Sequence, residues 1–241
     1  MSTRTTTSVL AIAVVAFSVA VAGPSNAVPG MNGGTARPAL SKPATLPVYK
    51  QPAPVVVGVQ QVLAAADGRT IVAGEDHWIA PCAERICALM RAADTSGYKK
   101  LGLEVADHDH SPKHKGLQSY LKQRNLPGKK KHFLETLNAW KYIECALQMG
   151  WEVEAIDQYY WDWIGGNVFT RRDPAMASAI AGGGRMIAVP GWAHLKGMHD
   201  RLGDRVLIIN SDAVPQKWHA YMRREFGADR ANFGLSVPVL H

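Results

Sequence analysis

The chain has 241 residues, 47% of them hydrophobic and 20% charged, with a formal net charge of +7 and nine histidines. That balance excludes a disordered, collagen-like or disulfide-dense chain and leaves room for one domain with a real core. The excess positive charge suits anionic envelope surfaces or acidic polymers. However, the basic residues are scattered, and no zinc-finger, RNP or helix-turn-helix pattern points to nucleic acid.

Residues 1–27 read as a secretory signal peptide. Arg4 supplies the basic start, 9–22 is an apolar run without charge, and Ser25-Asn26-Ala27 offers small residues for cleavage. The expectation is a secreted or periplasmic protein with no membrane span after cleavage. No cysteine follows the run, so a lipid anchor is not expected. Residues 28–54, rich in Pro, Gly, Ala, Ser and Thr, read as a flexible leader. Residues 55–241 then form a single α/β domain.

Within that domain, 55–66 reads as a helix ending at Asp67-Gly68. Residues 70–73 are a short buried strand, followed by the turn Gly74-Glu75-Asp76-His77. Pro81 near a helix start leads into 82–93, with Ile86, Leu89 and Met90 facing inward. Residues 100–105 form a second strand carrying Glu104, followed by Asp107-His108-Asp109-His110. That loop looks like a metal box, but nothing fixes its geometry, and the plainer reading is a solvated loop. The spacing predicts helices over 116–123 and 133–149, the latter with Leu137, Trp140, Ile143, Ala146 and Leu147 on its apolar face. Between them Lys129-Lys130-Lys131-His132 reads as solvated loop.

Residues 152–156 are a third strand, delivering Asp157 and the aromatic run Tyr159-Tyr160-Trp161-Asp162-Trp163. A helix over 172–181 ends at Gly182-Gly183-Gly184. Residues 185–189 form a fourth strand, leading into Gly191-Trp192-Ala193-His194, and 206–209 a fifth. Residues 235–240 pair at an outer edge, because Pro238 cannot donate to a ladder.

Strands alternating with helices predict an α/β fold: a mainly parallel central sheet flanked by helices on both faces. The continuous apolar strands fit a sheet covered on both sides. Ligand and catalytic groups in such sheets gather at the carboxyl ends of strands. Two Gly-x-x-His turns, each straight after a strand, would therefore bring His77 and His194 to one edge with Glu75 and Glu104. Glu104 sits inside an apolar strand, where an unpartnered carboxylate is costly.

Cys82, Cys87 and Cys145 are an odd number, so at least one is left over if the compartment is oxidising. Cys82 and Cys87 would point about 140° apart on an ideal helix. No C-x-x-C pair favours metal, and the redox state of the three stays open.

Four motifs in order across about residues 70–210 resemble the Tiki/TraB/ChaN/erythromycin-esterase-like superfamily. They are Gly74-Glu75-Asp76-His77, Glu104 in Leu103-Glu104-Val105, Arg172-Asp173-Pro174-Ala175-Met176-Ala177 and Gly191-Trp192-Ala193-His194-Leu195-Lys196-Gly197. The stretch 142–157 also resembles the family's helix-strand step. The resemblance implies a polar centre of Glu75, His77, Glu104, Arg172 and His194. It implies different activities: Tiki-like members are metal-dependent proteases, erythromycin esterases open a macrolactone, and ChaN-like members bind haem. This chain is too short for most of the esterases' helical insertions.

Three readings follow. The first is an exported hydrolase of a peptide or ester bond, acting on a peptide or small-molecule substrate. In it a histidine is general base and Arg172 holds an oxyanion or acidic group. A divalent metal on His77, Glu104 and His194 is optional. The second is a haem- or iron-binding envelope protein, with Tyr159 and Tyr160 as contacts. The third is a toxin-like or structural envelope protein without turnover.

Overall fold

Ile71 to Ala73 have no solvent exposure, and this run is the middle of the molecule. In the computed structural model the described residues are 55–77, 79–109, 115–127, 133–158 and 168–241. The signal peptide, leader and lysine run expected above lie outside them. Seven strands form one sheet: β1 (Val56–Val57), β2 (Thr70–Gly74), β3 (Lys100–Leu103), β4 (Glu152–Ala155), β5 (Ile187–Val189), β6 (Val206–Asn210) and β7 (Val239–Leu240). Their order is β1-β7-β6-β2-β5-β3-β4, and every pairing is parallel. The α/β fold expected from the apolar runs is therefore present, with a wholly parallel sheet.

Side chains alternate across a strand, and each face has its own cover. Ile71, Ala73, Leu101, Leu103, Ile187 and Val189 share a core with α1 (Val59–Ala66), α2 (Ala80–Asp94), α3 (Leu117–Gln123), α4 (Phe133–Thr136) and α5 (Ala139–Gln148). Val72, Ala188, Val206 and Ile208 meet α6 (Val168–Gly182) and α7 (Leu195–Leu202) on the other face. Each large aliphatic side chain so buried contributes roughly 1.5–3 kcal/mol. The sheet face of α2 carries Ile86, Leu89, Met90 and Ala93 at helical spacing, with Pro81 in its first turn where no amide is needed.

Several boundaries differ from expectation: β3 ends at Leu103, just before Glu104, and β5 begins at Ile187, each two residues short of the expected run. Val56 and Val57 are a strand on β7, and the helix begins only after Gly58, whose extended backbone accepts Val62's amide. The single helix expected over 133–149 is two, parted at Asn138, which takes a left-handed φ of 57°. That break leaves Trp140 39% exposed instead of facing inward. The helix expected over 172–181 starts a turn earlier, at Val168. β7 is not the outer strand: β1 covers it, and Pro238 stands just before it, using only its carbonyl, toward Asn210. Two C-terminal helices, α8 (Gln216–Phe226) and α9 (Ala228–Ser236), were not expected from the sequence.

Candidate functional site

The two Gly-x-x-His turns are joined by backbone. Glu75 and Gly191 form a parallel bridge beyond β2 and β5; Glu75 N–H donates to Pro190 O at 3.0 Å and Trp192 N–H to Glu75 O at 3.1 Å. The sheet register therefore sets the spacing of the two turns. Glu104 follows β3, Asp157 follows β4, and Arg172 and Asp173 come from α6, all at the same carboxyl edge.

Glu104 is the hub. His77 Nε2 lies 4.0 Å from its Oε2, and His194 Nε2 lies 3.4 Å from its Oε1. Arg172 Nη2 donates to Oε1 and the Gly191 amide to Oε2. Each imidazole is held from behind by a second carboxylate: His77 Nδ1 by Glu75 at 2.8 Å, His194 Nδ1 by Asp173 at 2.6 Å. Such a partner fixes ring orientation and tautomer. Glu75 also accepts from the Tyr142 hydroxyl at 2.5 Å, and Asp173 from Arg230 at 2.7 Å. Arg172 spans Glu104 and Asp157, with Nε 2.7 Å from the latter. These carboxylates hold Arg172 through Nε and Nη2, with its side chain 9% exposed at the wall of the cavity above the centre.

The charges follow from these contacts. Burial favours neutral His77, but the Glu75 carboxylate and its hydrogen bond, with Glu104 and Asp76, outweigh it and push the imidazole up to about 9. His194 is raised as well: burial opposes, and Glu104 and the Asp173 hydrogen bond prevail over the repulsion of Arg172. Burial would raise Glu104, but His194, Arg172 and His77 hold it well below the usual carboxylate range. His77 is thus held toward its cation at neutral pH, His194 is shifted in the same direction, and both face an ionised carboxylate.

Two glycines shape the site, one by the space it leaves and one by the close approach it permits. A Cβ on Gly191 would lie 3.1 Å from Glu104 Oε2 and 3.4 Å from His77 Nε2, so the missing side chain leaves the space between them open. A Cβ on Gly197 would run into the Asp173 carboxylate, which explains the glycine at the end of the second histidine motif. Above the centre is a cavity of about 480 Å³, walled by Phe169, Trp192, Trp218, Tyr221 and Phe226. Phe226 makes edge contacts with Phe169, Trp192 and Tyr221. Arg230 lies 4.1 Å above the Phe169 ring.

All five expected centre residues, Glu75, His77, Glu104, Arg172 and His194, meet here. Among the described residues, no three His, Cys, Asp or Glu side chains are arranged as a ready cation site. The Asp107–Asp109 segment stands apart. Asp107 accepts from Gln118, Asp109 from Gly116 and Lys115, and His108 is open to solvent, as a solvated loop would be. His110, Tyr159, Tyr160 and the adjoining tryptophans lie outside the described residues. Sequence reasoning missed Tyr142, Asp173 as partner of His194, Arg230 and the aromatic wall from α8. Only Asp173 left a trace, beside Arg172 in the helix motif.

Fold and site together define an α/β protein with a parallel sheet and a histidine–carboxylate centre at its carboxyl edge. No family model matches the chain, and no curated protein matches it. Among solved structures, it is similar to RRSP, a MARTX toxin effector domain from Vibrio vulnificus, with 16% identity and a TM-score of 0.44 over 66% of this chain. A second structure, described as bacterial protein toxins, shows 19% identity and a TM-score of 0.44 over 63%. The matched region covers 36% of each of those chains.

Proposed function

We propose that the protein is an exported hydrolase of a peptide or ester bond, of the Tiki/TraB/ChaN/erythromycin-esterase-like superfamily. The observation that carries the reading is the open space above Gly191, bounded by the His77 donor and the Glu104 carboxylate. A water there is oriented by Glu104, which takes up its proton as it attacks the carbonyl carbon. His77, an imidazolium, donates a hydrogen bond to the carbonyl oxygen as charge develops and then its proton to the leaving group, with His194 beside it on the other Glu104 oxygen. Arg172, Glu75 and Asp173 hold these groups in place. The four motifs in order support the superfamily, and the first 27 residues support export.

The test is incubation of the mature chain with a peptide mixture, read by mass spectrometry for new termini, and in parallel with chromogenic esters. Activity is expected to fall as pH rises through about 9, where His77 loses the proton it must donate. A rate that climbs to that pH would restore histidine as the base. His77→Ala is expected to cost about 10²–10⁴-fold in turnover; full activity in a folded variant would remove the site assignment. Elemental analysis of the same sample decides the divalent-metal form, through stoichiometric metal that His77→Ala and His194→Ala lose.

A further inference from the structure

We propose that Cys87 and Cys145 form a disulfide bond that ties α5 to α2. The bond is independent of the hydrolase reading. Both cysteines are buried, in the face of the core where these two helices pack. Each thiol addresses the other's helix. Cys87 Sγ lies 3.6 Å from the carbonyl oxygen of Lys141, one turn before Cys145, and Cys145 Sγ lies 3.9 Å from the carbonyl oxygen of Cys87. The thiols also interact with each other: burial and the neighbouring Cys145 thiol push Cys87 up to about 12.

Cys82 is directed elsewhere. It lies in the first turn of α2 and interacts with the Ser211 side chain and the Asp76 backbone; burial pushes its thiol up to about 11. That resolves the odd count: one pair across two helices and one spectator. The bond closes a loop between residues 87 and 145, long enough for the constraint on the unfolded chain to be large. Tyr142, which donates to Glu75, lies one turn before Cys145, so the tie also holds the helix that braces the Glu75 carboxylate.

The chemistry is thiol–disulfide exchange with a small disulfide such as oxidised glutathione. The thiolate of one cysteine attacks the oxidant's sulfur and expels one thiolate, forming a mixed disulfide. The second cysteine's thiolate then attacks the protein-side sulfur, forms the Cys87–Cys145 bond and expels the other thiolate. Two protein thiols lose two protons and two electrons, and one oxidant becomes two thiols. Because both cysteines are buried in the fold, this occurs while the chain folds.

The full chain is refolded in a mixed oxidised and reduced glutathione buffer, then unfolded in denaturant with iodoacetamide and digested without reduction. One alkylated cysteine, Cys82, is expected, with a peptide linking Cys87 to Cys145. Reduction should lower Tm by about 5–10 °C. The shift should persist in Cys82→Ser and vanish in Cys145→Ser. Three alkylated cysteines, or any link that includes Cys82, would overturn the assignment. If Cys145→Ser does not fold, the wild-type peptide map decides alone.

Discussion

Glu104 accepts from a guanidinium and a backbone amide and faces two imidazoles, so the chemistry turns on one carboxylate and the space beside it. Gly191 keeps that space open with an ordinary extended backbone, φ −58° and ψ 142°, which alanine adopts without strain. Gly191→Ala therefore tests the space and not the fold. The methyl group would sit between His77 Nε2 and Glu104 Oε2 and displace a water or substrate atom. Turnover is expected to drop by about 10²-fold with Tm within a few degrees of wild type, by steady-state kinetics and a thermal melt. A variant with wild-type turnover would show that nothing reacts in that space. Glu75, His77 and His194 were legible because each follows a strand, and Glu104 because a carboxylate in an apolar run is costly without a partner. Arg172 was legible only by resemblance, since its role depends on Glu104 and Asp157 from two other strands. Tyr142 lies far from Glu75 in sequence, and no local pattern could pair them.

At the scale of elements, α6 and α7 meet where Gly197 lets the Asp173 side chain lie against the α7 backbone. Asp173 is wholly buried and serves both His194 and Arg230 of α9, so this contact couples three helices to one imidazole. Gly197→Ala is expected to cost about 1–3 kcal/mol, the usual price of overpacking, and to lower turnover as well. Urea denaturation beside the activity assay checks both, and an unchanged midpoint would mean that the helices simply separate. β2, β3, β5 and β6 were readable as short apolar runs because both faces of the sheet are covered there, whereas the edge strand β4, Glu152-Val153-Glu154-Ala155, alternates polar and apolar residues. β1 and β7 have two residues each, too few for a pattern. α8 buries Met222 completely but turns Trp218, Tyr221 and Phe226 toward the cavity, so its apolar residues mark a wall and not a core stripe. The break at Asn138 depends on one residue's left-handed backbone, which spacing does not reveal.

For the whole molecule, the raised imidazoles link stability to pH. His77 binds its proton up to about 9 in the folded state, against an ordinary 6.5 when unfolded. Between those values the folded state holds more protons, so stability is full below about 6.5 and falls as pH rises through about 9. His194 acts in the same direction. The loss from His77 is on the order of 2–3 kcal/mol. It should be seen as a falling urea midpoint across that window and be much smaller in His77→Gln. A midpoint that rises over the same range would contradict the assigned charges.

The sheet order has one more consequence. β1 pairs only with β7, Val56 against Val239 and Val57 against Leu240, so the first and last strands of the domain are neighbours at the edge farthest from β4. The two strands run the same way and their register sets His241 beside Gly58, so the path back to Val55 is three residues along and one strand across, roughly 11 Å. A short Gly/Ser bridge spans it, which makes the domain open to circular permutation. New termini cut into the exposed turn after α3 would place β5 and His194 ahead of β2 and His77 in the chain, so such a permutant tests whether the site assembles when its two histidine turns are made in the reverse order.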